Sequence, residues 1–265
     1  MRATRKACGT FNRDTFPGDL GHLINFLTFV KGSYAGIGNV KAYDENGASA
    51  FDVIGFSRND VFRFCDIGKR ETNWFQGGIQ THLPNIYIGF IAAMSEMTTK
   101  QALRQTIAFY RASTVARASS IEMAIIAAHT ALEAIVNYIL EYKAGWSATI
   151  LSERSAPFSD KARAAAAYCR FTGDALAHSP ELLKEAKRRN DKDAFQLISF
   201  MRNKLVHQDP KFTPTGIQLH ETWCIAMWLV EVFIFYLIGY HGDMIDRRVY
   251  TGWQGATCKV PLNHI

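Results

Sequence analysis

Residues Ile121 to Tyr142 constrain the fold more than any other stretch of the chain. Met123, Ile125, Ile126, Leu132, Ile135, Val136, Ile139 and Leu140 are spread around a helix almost all the way round, leaving little polar face for solvent. A helix of that kind has to be enclosed by others. Ser119-Ser120, with Glu122 in the first turn, offers its N-cap, and Gly145 ends it.

The segments that could enclose it follow in order. Gln101 to Arg117 is amphipathic, with Leu103, Ile107 and Tyr110/Arg111 along one side. Residues 146–160 read as a loop or broken turn, because Pro157 discourages helix. Asp160 to Phe171 is Ala-rich and helical, with Gly173 as its stop. Pro180 opens the next helix, which breaks near Asn190-Asp191, resumes through Phe195, Ile198, Met201 and Leu205, and closes at Asp209-Pro210. After the linker Thr213-Pro214-Thr215-Gly216, a final helix runs from Ile217 to Tyr240. Its stretch from Trp223 is apolar enough to suggest a membrane span, but it contains Glu231 and reads better as a buried bundle helix. Short connections between four or five helices predict an antiparallel bundle over residues 99–246. Residues 247–265, with Trp253, Gly255 and Pro261, read as a tail packed on it.

Upstream of Thr98 the texture changes. Residues 1–98 are rich in Gly and Asn and broken into short pieces, which predicts a small β-rich or mixed α/β module. Leu23–Val30 reads as a strand or a short helix. Gly38–Tyr43 and Ala50–Gly55 flank Asp44-Glu45-Asn46-Gly47, a strong hairpin signal. Val61–Phe64 suggests another strand, Trp74–Gly78 a turn, and Leu83–Met94 an apolar stretch. The fold class expected is mainly α, a helical bundle preceded by this module.

Composition narrows the function. With 48% hydrophobic and 20% charged residues the chain is not a disordered one, and the balance fits a protein that buries much of its surface, a second copy of itself being one candidate cover. The net charge of +6 permits an anionic partner such as RNA without demanding one. Residues 1–98 hold 10 Lys and Arg against 9 acids, and residues 99–265 hold 20 against 15, so most of the excess lies in the bundle. Cys8, Cys65, Cys169, Cys224 and Cys258 form no CxxC pair and no zinc spacing, which fits reduced thiols in a cytoplasmic protein. No phosphate-loop, dinucleotide-binding or nucleophile-elbow string occurs, and no metal or cofactor is expected.

The most informative string is Arg202-Asn203-Lys204-Leu205-Val206-His207. Arg202 and His207 are five residues apart, about 140° around a regular helix, so they converge only if the helix ends at His207. Asn203 and His207 share a face. Histidine moves protons near neutral pH, guanidinium stabilises phosphoryl oxygens in a bidentate manner, and asparagine can hold an imidazole tautomer or position a phosphate. Together they suit metal-free RNA cleavage, in which a ribose 2′-hydroxyl attacks the adjacent phosphodiester. A structural reading stands beside this one. A histidine closing a helix can serve the last carbonyls and the dipole, and Arg202 can pair with Glu133 or another acid across the bundle. His129, one turn from Glu133, reads as an internal histidine of the bundle rather than a second base. Lys184 to Lys192 is the densest basic run. It is either a solvated helix face or, through Lys187, Arg188 and Arg189 together with Lys204, a contact to the RNA backbone.

The second half resembles the HEPN superfamily, whose motif is R-x(4–6)-H, often with a polar residue after the arginine. Arg202, Asn203 and His207 match it. Ile107–Ala112 and Ala128–Ala134 resemble the first and second helices of its ApeA-like branch, and Tyr250–Gly255 through Pro261 resembles the ending of such proteins. The resemblance implies a homodimer with a composite cleft and a metal-independent endoribonuclease, in which His207 is the acid–base group, Arg202 binds the scissile phosphate and Asn203 shapes the site. It also implies a role for Glu133 in orienting Arg202 or His207. A bacterial anti-phage or toxin-like effector, with residues 1–98 sensing a regulatory ligand or protein, follows by analogy. The alternative within the same superfamily is a non-catalytic module that dimerises or binds nucleotide or protein.

Overall fold

The computed structural model describes residues 16–44, 46–54, 79–153, 156–191, 193–207, 209–249 and 257–263. Val61–Phe64, Trp74–Gly78, Cys8, Cys65 and Tyr250–Gly255 lie outside them. The described chain is mainly helical. Its elements are α1 (Phe16–Lys31), the strands β1 (Asn39–Tyr43) and β2 (Ser49–Ile54), α2 (Leu83–Ser95), α3 (Met97–Ala116), α4 (Ile121–Tyr138), α5 (Ala148–Ser152), α6 (Phe158–Tyr168), α7 (Pro180–Arg189), α8 (Ala194–Val206), α9 (Gly216–Leu237), and two short strands, β3 (Asp243–Met244) and β4 (Cys258–Lys259).

The all-round apolar helix is central, as its sequence requires. In α4, Ala124, Ile125, Ala128, Leu132, Ile135 and Val136 are fully buried, and the helix packs on α3, α6, α8 and α9. Ser120 caps its start by accepting from the Met123 amide at 3.1 Å. At its far end Ile139–Lys143 widens into a π-helical turn, and Gly145, at φ +74°, reverses the chain. The second core helix is α9, begun by a capping box between Thr215 and Gln218 and buried from Thr222 to Phe235. By length and composition both α4 with its π turn and α9 could cross a membrane, but each is mostly buried as a bundle core helix.

Sequence periodicity places α6 two residues late and runs it on to Phe171. The helix begins at Phe158 after Pro157 and stops at Tyr168, with Arg170 at φ +54°. The stretch expected as a loop, residues 146–160, contains α5, which Ser147 caps. The break near Asn190 is real: Asn190 takes a left-handed conformation at φ +58°, and Asp193 caps α8 by accepting from the Gln196 amide at 3.0 Å.

Upstream of the bundle the described residues are mixed rather than β-rich. β1 and β2 form the expected antiparallel hairpin, with Gly47 at φ +81° and Asp44 Oδ1 accepting from the Asn46 and Ala48 amides. Residues 23–30 are helical, because Phe26, Phe29 and Val30 sit at helical spacing and face the bundle. Phe29 meets Tyr110 at 5.7 Å and Phe235 at 5.9 Å between ring centroids, and Phe26 meets Phe90 of α2 at 5.4 Å. α1 and α2 therefore share the core of α3 and α9, and the expected boundary at residue 98 falls within the first turn of α3. Gly89 of α2 lies so close to the end of α9 that a Cβ there would stand 2.1 Å from the Ile238 carbonyl oxygen. Glu96 turns α2 into α3. Its carboxylate accepts from Thr98, Thr99 and Lys143, and those bonds hold its pKa down at about 2.

The tail closes the molecule. β3 and β4 pair antiparallel, and Leu262 bridges to Phe171. Between these strands Arg247 reaches into the bundle. Its Nε donates to Glu231 Oε2 at 3.2 Å, its Nη2 donates to Glu231 Oε1 and to Tyr110 Oη, and Tyr110 Oη donates to Glu231 Oε1 at 2.6 Å. Glu231 is 0% exposed and Arg247 4%. Arg248 stacks on Trp228 at 3.4 Å and pairs with Asp246.

Candidate functional site

α8 runs beside α4 and α6 with Phe195, Leu197, Ile198 and Met201 buried, which turns Arg202 and Asn203 towards the edge of the bundle. Arg202 is half-buried and Asn203 exposed, and Arg202 Nη1 donates to Asn203 Oδ1 at 3.0 Å. The helix ends at Val206. His207 is its C-cap at φ −89°, ψ 5°, with its amide donating to the Asn203 carbonyl at 3.0 Å and its side chain exposed. The helix thus stops where convergence of Arg202 and His207 demands, although no hydrogen bond joins their side chains. Asp209 makes the stop by accepting from Lys204 and from the Lys211 amide.

Glu133 lies on α4, with its side chain 45% exposed. It is not the ion-pair partner of Arg202: among the described residues Arg202 has no carboxylate partner. Glu133 Oε2 instead lies 3.9 Å from Nδ1 of His129. That histidine is buried, packs on Phe158 at 4.5 Å between ring centroids, and has no hydrogen-bond partner at either ring nitrogen. Burial and, secondarily, the positive charge of Arg202 lower its pKa to about 4, so its contact with Glu133 is that of a neutral ring and not an ion pair.

This has a consequence for stability. In the unfolded chain the imidazole takes its proton near its ordinary pKa of 6.5, but in the bundle it resists down to about 4. Its neutral burial therefore supports the fold fully above pH 6.5, and that support is lost as pH falls towards 4, by up to about 3 kcal/mol. Urea denaturation at pH 7 and pH 4.5 should show a smaller loss in His129→Leu than in the native protein. Equal losses would mean that His129 does not carry the effect.

The cations expected to contact RNA are differently placed. Lys187 is exposed at the end of α7. Arg188 pairs with Glu185 one turn back, Arg189 pairs with Asp191 at 2.8 Å and stacks on Phe200 at 3.3 Å, and Lys204 pairs with Asp209. A second polar cluster was less visible in the sequence. His220 Nδ1 lies 3.2 Å from Arg117 Nη2, and its Nε2 lies 3.5 Å from Cys224 Sγ. Trp223, between Arg117 and Arg247, donates to Ser113 at 2.9 Å. Among the described residues no three His, Cys, Asp or Glu side chains gather as metal ligands would.

These features define a mainly helical bundle domain, locked by a C-terminal strap, the segment that carries Arg247, with Arg202 and Asn203 in the last turns of α8 and His207 at its end. The chain belongs to the YopA C-terminal domain family, whose model matches residues 96–259, more than half of its length. The match opens at Glu96, where α2 turns into α3, and closes in β4, so it takes in the bundle and the strap together. No curated protein and no solved structure matches the chain.

Proposed function

We propose that the protein is a metal-independent endoribonuclease of the HEPN type, acting as a homodimer. The observation that carries the reading is the end of α8 at His207, which leaves an exposed imidazole one turn beyond the Arg202–Asn203 pair. Such an imidazole accepts the proton of the ribose 2′-hydroxyl as its oxygen attacks the adjacent phosphorus. Arg202 meets the charge gathering on the non-bridging oxygens, and Asn203 fixes the guanidinium from which those bonds are made. The 5′-oxygen leaves with a proton supplied by the His207 of a second copy, giving a 2′,3′-cyclic phosphate and a 5′-hydroxyl. Lys187 extends the basic edge along which the RNA backbone lies. A role in bacterial anti-phage defence or as a toxin rests on the HEPN likeness alone.

Mixed single-stranded and structured RNA incubated in EDTA should be cut to those termini, and substrates with 2′-deoxyribose at the cleaved position should survive. Cleavage that requires a divalent metal, or equal cleavage of the deoxy substrate, would overturn the mechanism. The rival reading, a non-catalytic interaction module, draws on the ion pairs that already engage Arg188, Arg189 and Lys204.

A further inference from the structure

A cleft of about 170 Å³ lies between α1 and the start of α3, away from Arg202 and His207. Its walls are Gly18, Gly21, His22 and Asn25 of α1, Met94 at the end of α2, and Lys100 and Arg104 of α3. Lys100 and Arg104 are one helical turn apart and both reach the cleft from α3. Among the described residues neither has a carboxylate partner. Like charges brought together without a counter-charge destabilise a helix pair unless something negative sits between them.

The opposite wall leaves room for such a group. A Cβ built on Gly18 or Gly21 would meet nothing within 4 Å, so bare backbone faces open space there. Asn25 turns its amide away, donating to the Gly21 carbonyl at 2.7 Å. His22 Nε2, by contrast, is shielded from solvent and has no hydrogen-bond partner. Burial and the nearby Lys100 and Arg104 lower the pKa of this histidine, and Asp19 acts against them. The cleft is comparable with the ~150 Å³ cavities that hold one benzene-sized guest. It can take a tetrahedral oxyanion with a small substituent.

We propose that this cleft is a binding site for a phosphate-class dianion, held by Lys100 and Arg104 and completed by a hydrogen bond from His22. Two cations with three-dimensional donor spread recognise a phosphoryl group better than a singly charged carboxylate. Free phosphate and a small phosphate monoester share this chemistry, and comparing the two tells which one the site takes.

Inorganic phosphate and ethyl phosphate are titrated calorimetrically into the full chain at fixed ionic strength, alongside Arg104→Gln and Lys41→Gln. Arg104 is exposed on α3 and glutamine keeps the helix, so the first variant stays folded. Lys41 lies on the hairpin, paired with Asp52, and its replacement makes the same change in net charge elsewhere. The native chain and Lys41→Gln should bind at least one of the two anions saturably, and Arg104→Gln at least tenfold more weakly. The absence of saturable binding below about 10 mM in the native chain would overturn the assignment. So would equal weakening by the two variants, because binding would then follow net charge and not the cleft.

Discussion

Replacing His207 with alanine should lower RNA cleavage by about 100- to 10,000-fold, the usual worth of a positioned proton-transfer group, without unfolding the bundle. The side chain is exposed at the end of α8, and the bond its backbone makes to the Asn203 carbonyl remains in the variant. Unfolding free energies of variant and native protein should therefore agree within about 0.5 kcal/mol, as for most exposed substitutions. Arg202→Lys should be nearly as damaging. Lysine keeps the charge but loses the planar fork, and with it both the bond to Asn203 Oδ1 and bidentate contact with a phosphate. Cleavage rates for the three proteins on one RNA decide the matter. If His207→Ala cuts at the native rate, the imidazole has no part in the chemistry and the proposed mechanism is overturned.

The second large effect is on stability. Arg247→Met should cost about 3–5 kcal/mol, because it leaves the Glu231 carboxylate in the core without its cation. Burial already favours the neutral form of this acid, and Arg247 opposes that shift. The double variant Glu231→Leu/Arg247→Met should recover most of the loss, since an apolar pair of similar volume removes the desolvation cost on both sides. Urea denaturation of the single and double variants measures this directly. A double variant no more stable than Arg247→Met would show that packing around the strap, and not the stranded charge, sets the penalty. Tyr110 has a share in the same network through its bond to Glu231, so Tyr110→Phe should lie between native and Arg247→Met.

Much of this arrangement could be read before the fold was known. Patterning placed α4 and α9 at the centre, because neither has a polar face to give to water. The Ser120 cap, the Asn46-Gly47 turn, the break at Asn190 and the stop before Pro210 are local chemistry, and local chemistry is written in adjacent residues. The candidate site was named for the same reason: Arg202, Asn203 and His207 lie within one short string, and the geometric condition placed on them, a helix end at His207, is the part that the fold meets. Tertiary partners were not readable. Glu133 shares a helix turn with His129, yet nothing in the sequence says that it contacts this ring and not Arg202. Glu231 gave a usable signal as a lone acid in an apolar helix, which has to find a partner. That partner is Arg247, beyond the end of α9, together with Tyr110 on α3. Similarly, residues 23–30 suit a strand or a helix on their own, and only the bundle face waiting for Phe26, Phe29 and Val30 decides between them.

The strap also imposes an order on the making of the molecule. Glu231 becomes part of the core only when α9 is surrounded, yet the guanidinium that neutralises it lies 16 positions further along the chain. Until that segment has been made and docked against α9, the bundle has an acid at its centre and an incentive to stay open. Synthesis therefore delivers the keystone after the arch.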